Sequence, residues 1–184
     1  GQISGQIRPF DHSLILPPKP LFSRGGNICP TASIVYRSEP MRSPPDFYFQ
    51  SPVGDRALAL TMVLHGSIAY LDEVMSVRRL WVPGSWNTRF QNDPDKQTQI
   101  RHFQGMINLF ESFGQLSGGR WSDDVNRTTL GYRAMIARLE NHRPLADPDC
   151  RRRLGRLAMR DRAAFILKWT RQDLRDLVRQ GRRT

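Results

Sequence analysis

Along the second half of the chain, apolar residues recur every three to four positions, the spacing that gathers them on one face of a helix. In "NDPDKQTQIRHFQGMINLFESFG" (92–114) the stripe is Ile100, Phe103, Ile107 and Phe110. Asp93 reads as N-cap, Pro94 as first helical residue and Gly114 as the stop. "RWSDDVNRTTLGYRAMIARLENHRP" (120–144) repeats the arrangement. Ser122 reads as cap, acids fill the first turn, Val125, Tyr132, Ile136 and Leu139 face inward, and Pro144 ends it. Asp147–Pro148 opens a third helix, expected over 148–168, in which Leu154, Leu157, Ala158, Phe165 and Trp169 share a face at about 100° per residue. Leu167, Leu174 and Val178 fall on nearly the opposite side. One straight helix cannot bury both groups, so the pattern predicts a break near 169–171. A fourth helix to about 180 follows, capped by Thr170 with Asp173.

Before Pro83 the pattern is less decisive. "FYF" (47–49) reads as a strand, and "ALALTMVLH" (57–65) is a buried run compatible with strand or helix. In "SIAYLDEVMSVRRLW" (67–81), Ile68, Leu71, Met75 and, less cleanly, Arg78 keep helical spacing. Strands followed by a helix is the favoured order. Nine of the thirteen prolines lie in the first 52 residues, in stretches such as "LILPPKPLF" (14–22). Proline removes backbone donors and disfavours helix at the preceding residue, so 1–45 is expected as an extended arm with polyproline II character near 16–20. The fold expected is α+β and helix-dominated. It has a C-terminal bundle of about four helices (94–181), a smaller unit at 46–82 in which strands are expected, and the proline-rich N-terminal arm. Residues 46–184 make a single globular domain.

Charge changes this picture most. The chain of 184 residues carries a formal net charge of +11. Residues 151–184 hold twelve basic and three acidic side chains, so nine of the surplus charges sit in the last thirty-four positions. Only Lys19, Lys96 and Lys168 are lysines; the other basic residues are arginines, whose planar fork suits phosphate oxygens. Codon bias explains the choice of arginine equally well, but not the clustering. The candidate polyanion-binding residues are Arg151, Arg152, Arg153, Arg156, Arg160, Arg171, Arg175, Arg179, Arg182 and Arg183. Guanidiniums at helical spacing meet either nucleic-acid phosphates or an anionic lipid surface.

The start, "GQISGQ", places Gly1 where N-myristoylation acts if an initiator methionine is removed; Gly5 departs from the usual Ser or Thr. A single acyl chain holds a membrane only marginally, and a polybasic patch is the kind of second element that makes anchoring stable. The first ten residues lack the apolar core of a signal peptide, and no apolar run is long enough to span a bilayer. Cys29 and Cys150 make no disulfide framework, which fits a reducing compartment.

Catalytic chemistry has no comparable signal. His12, His65, His102 and His142 are scattered singly, and neither "PVGDRA" (52–57) nor "LSGGRW" (116–121) is a phosphate-cradling loop. Asp123 and Asp124 read as first-turn acids. The pair in "YLDEV" (70–74) reads as surface charge with no base nearby in sequence. Cys150, beside three arginines, is a candidate for a lowered thiol pKa, although a structural thiol is the simpler reading. Trp81 and Trp86 near Arg78, Arg79 and Arg89 suit base stacking or a lipid interface, or plain loop packing.

The layout resembles that of viral matrix and accessory proteins: small, basic, proline-rich at one end and suited to acylation. That resemblance is one of overall profile, without a family motif. It implies a non-enzymatic protein, without cofactor or metal, that is cytoplasmic and peripheral at an anionic membrane. It would bind an assembly partner or nucleoprotein through the proline-rich arm and self-associate. The alternative is an RNA- or DNA-binding protein using the same arginines, with the nucleus as a compatible location.

Overall fold

The computed structural model describes residues 8–17, 19–23, 31–76, 82–84, 88, 90 and 95–181. Helices dominate, with one two-stranded antiparallel sheet. In chain order the elements are strand β1 (Leu14–Leu16), helix α1 (Lys19–Ser23), two 3₁₀ turns (Thr31–Ser33 and Glu39–Arg42), α2 (Asp46–Gln50) and α3 (Gly54–His65). Strand β2 (Ile68–Tyr70) follows, then α4 (Lys96–Leu116), α5 (Ser122–Leu139), α6 (Pro148–Leu154) and α7 (Met159–Gly181).

The order expected for 46–82 is reversed: helices come first and the strand follows. "FYF" lies in α2, where Phe47 enters the core and Tyr48 packs half-buried against it. Phe47 is buried while Phe49 projects outward, a division that alternation along a strand would not produce. The 57–65 run is helical, with Ala57, Leu58, Leu60, Thr61 and Val63 buried around most of the circumference. Thr61 satisfies its hydroxyl on the Ala57 carbonyl at 2.9 Å. The expected helix after 67 is instead β2, followed by irregular chain to Ser76; Arg78, Arg79, Trp81, Trp86 and Arg89 lie outside the described residues.

The partner of β2 comes from the proline-rich segment. Leu14 pairs with Tyr70, Ile15 with Ala69 and Leu16 with Ile68, which turns Leu16 into the core and Ile15 to solvent. Arg8 closes the ribbon by an ion pair with Asp72, donating from Nε to Oδ1 at 2.8 Å, and the Phe10 ring meets the edge of Tyr70. The acid of "YLDEV" therefore has a base 64 positions away in sequence. Within the expected extended arm, Leu14–Leu16 is strand and Lys19–Ser23 short helix, because Leu16, Leu21 and Phe22 supply apolar surface that the core uses. Phe22 lies 5.9 Å from the Phe110 ring and 5.7 Å from that of Phe113.

The long helices form where expected, with shifted ends, but their buried faces differ from the predicted stripes. Ile107 and Phe110 of α4 and Val125 of α5 are buried as expected, whereas Ile100, Phe103, Tyr132, Ile136 and Leu139 are half-buried. Leu130, Ala134 and Ala137 are buried on the other side of α5. Asp95 caps α4, accepting from the Gln97 and Thr98 amides; the expected cap, Asp93, lies outside the described residues. The helix passes Gly114, where a side chain would meet Val125 of α5 at 3.5 Å, and turns through Gly118 and Gly119 in the left-handed region. Ser122 is the first residue of α5 rather than its cap. At the other end Asn141 takes a left-handed conformation, and the amides of Asn141 and His142 bond the carbonyls of Arg138 and Ala137 in a Schellman closure.

Helix α5 joins two cores. One face, with Val125 and the half-buried Tyr132, completes a cluster of Leu16, Phe22, Phe47, Leu60, Phe110 and Phe113. The opposite face, with Leu130 and Ala134, packs on Cys150, Leu157 and Trp169.

Candidate polyanion-binding face

Asp147 opens α6 as expected, accepting the Cys150 amide at 2.8 Å with Pro148 in the first turn. The predicted break at 169–171 does not occur. The chain instead breaks at 155–158, between α6 and α7, and Trp169 sits inside a continuous helix. Two contacts place the break there. Leu157 is buried in the second core, and Arg162 donates to the Gly155 carbonyl at 2.8 Å, closing the turn from the far side. Leu154 before the break, Leu157 within it and Phe165 and Trp169 after it thereby meet one cluster. Leu167, from the other apolar group, is left 51% exposed, and its neighbour Ile166 39%.

The arginines divide into two sets. Arg153, only 23% exposed, pairs with Glu111 of α4 at 3.0 Å and with Asp149 at 3.8 Å. Arg152 pairs with Asp149 at 2.8 Å while staying largely exposed. Arg133 of α5 reaches both acids, with Nη2 3.1 Å from Glu111 and Nη1 2.6 Å from Asp149. Two carboxylates thus hold three guanidiniums and tie α4, α5 and α6 together. Burial acts to raise the Asp149 pKa, but the hydrogen bond from Arg152 and the charges of Arg133 and Arg153 outweigh it. The carboxyl therefore lies below its ordinary value.

The second set faces outward. Arg151, Arg156, Arg160, Arg171 and Arg175 are exposed, and none of them forms an ion pair among the described residues. Asp161, which lies among them in sequence, is bound by Arg127 of α5 at 3.2 Å, so it neutralises a cation outside the tail. Lys168 extends the exposed set; it was absent from the predicted residues because a single lysine carries no clustering signal. Its ammonium lies 5.3 Å from the Trp169 ring, which Arg138 approaches at 5.7 Å. The side chain of Arg179, together with Arg182, Arg183 and Gly1, lies outside the described residues.

Cys150 is not the low-pKa thiol that its arginine neighbours in sequence suggest. It is buried, and desolvation reinforced by the neighbouring Asp147 pushes its thiol up to about 12. The three arginines beside it in sequence are directed to Asp149, Glu111 and solvent. Among the described residues no three His, Cys, Asp or Glu side chains form a group able to hold a metal ion, and no helix is long and apolar enough to cross a membrane. Comparison with family models, with curated proteins and with solved structures finds no match.

Proposed function

We propose that the chain is a non-enzymatic, basic peripheral protein that binds an anionic membrane surface, of the kind viral matrix and accessory proteins exemplify. In this reading the proline-rich N-terminal segment serves an assembly partner or nucleoprotein. The observation that carries it is the set of five exposed guanidiniums, Arg151, Arg156, Arg160, Arg171 and Arg175, that find no carboxylate among the described residues. The nearby acids Asp149 and Asp161 are engaged elsewhere. Fixed cations without local counter-charge lower their energy by meeting an external anion, and each contributes about 1 kcal/mol beside an acidic leaflet. Apolar side chains exposed between these arginines favour lipid over nucleic acid, since base and phosphate contacts make no use of them.

The test is co-sedimentation of the full chain with phosphatidylcholine vesicles, with and without phosphatidylserine. Binding is expected only to the acidic vesicles and to weaken as salt rises. The triple substitution Arg160→Gln, Arg171→Gln, Arg175→Gln lowers the partition coefficient by about a hundredfold on the same arithmetic. Equal retention by neutral and acidic vesicles defeats the proposal. A salt-dependent shift of short oligonucleotides without vesicle binding replaces it with the nucleic-acid reading.

A further inference from the structure

Helix α7 has three faces rather than two. Phe165 and Trp169 point into the second core. At about 100° per residue, Ile166, Met159, Thr170, Ala163 and Leu167 lie together on an arc that begins about 60° from Trp169, at Ile166, and runs round to the far side of the helix, at Leu167. All five are exposed, Met159 at 84%. Arg160, Lys168, Arg171 and Arg175 form a third arc, contiguous with the apolar one on a single side, and they too are exposed. The opposite border carries Arg162 and Asp173. The sequence keeps the apolar spacing beyond Thr170, at Leu174 and Val178.

A helix that only displayed cations would gain nothing from leaving Ile166 and Leu167 in water. A helix that only packed on the core would place them inward. An apolar arc bounded by basic side chains matches the layered chemistry of a bilayer surface, where acyl chains lie just beneath anionic headgroups. From this geometry we infer that α7 lies in the plane of the acidic bilayer surface. Met159, Ile166 and Leu167 enter the acyl boundary, and Arg160, Lys168, Arg171 and Arg175 reach the lipid phosphates on one side. The inference rests on the proposed membrane reading and specifies how the contact is made: by insertion, not by surface charge alone. Asp173 on the other border is repelled by the headgroups, so the helix engages from its arginine side.

The experiment uses the full chain and vesicles of phosphatidylcholine with phosphatidylserine, comparing wild type with Ile166→Ala, Leu167→Ala. Alanine is the strongest helix former and both positions are exposed, so helicity and melting are expected to match wild type; circular dichroism checks this. Truncation is expected to lower partitioning at least about tenfold while leaving its salt dependence unchanged, because the lost part is apolar. Wild type is also expected to retain measurable binding at about 0.5 M salt, where charge contacts are screened. Binding of the variant equal to wild type overturns insertion and leaves the membrane reading intact. Failure of wild type to prefer acidic vesicles defeats that reading itself. If the double alanine variant instead converts a dimer to a monomer with unchanged vesicle binding, the arc belongs to a second copy of the chain, and insertion is again overturned.

Discussion

Asp149 supports three guanidiniums from one carboxylate, with Glu111 sharing two of them, and this makes it the most consequential acid among the described residues. Its pKa is lower folded than unfolded. The stability it adds is therefore fully present above the ordinary carboxylate range and is lost as pH falls through the folded value. Asp149→Asn is expected to cost about 1–2 kcal/mol at neutral pH, between the worth of an exposed pair and that of a buried one. Wild type and variant should converge in melting temperature as pH drops below that range, and parallel curves would contradict the assignment. The sequence makes the arginine run plain but does not reveal which members are committed. Arg152 and Arg153 are indistinguishable from Arg151 and Arg156 until Glu111, some forty positions earlier, is brought beside them. A pairwise contact between helices leaves no mark in local spacing.

At the scale of elements, the spacing located α4 and α5 well, because each combines a long apolar stripe with polar punctuation. The short runs at 47–49 and 57–65 are too brief for periodicity to separate strand from helix, and β2 gains its identity from β1, more than fifty residues away. The break before α7 was misplaced for a related reason. A break at 169–171 follows only if both apolar groups of 154–178 are buried, whereas Leu167 of the second group is exposed. Glycine does not create that break. Gly155 has φ −59° and ψ −23°, and a methyl group there would meet the Arg152 carbonyl oxygen at an ordinary 3.4 Å. Gly155→Ala is accordingly expected to raise stability by about 0.5 kcal/mol through the unfolded chain, measured by urea denaturation. A loss larger than about 1 kcal/mol would mean that the turn needs glycine after all.

Across the whole molecule, residues 14–23 and the helical half share one core. The prolines there suggested an arm because they speak only of backbone conformation, while the apolar residues between them found partners at Phe110, Phe113 and Trp121. Phe22→Ala is expected to cost about 3–5 kcal/mol, the range for truncating a buried phenylalanine, with a matching fall in thermal midpoint. A change below about 1 kcal/mol would show that the segment only rests on the surface. The charge asymmetry is fully legible in the sequence and so suggests a partner class; the exposed apolar arc of α7 is not, because exposure is a property of the assembled chain.

The clamp of Glu111 and Asp149 with Arg133, Arg152 and Arg153 keeps a net charge of +1 when every contact in it is made. Internal satisfaction therefore does not extinguish the field. A phosphate-rich body still some ångströms away responds to the sum of charges rather than to their pairings, until salt screens it at about 10 Å. On the proposed reading, approach and grip fall to different side chains: the clamped guanidiniums would hasten encounter, and the unclamped ones would set how long it lasts.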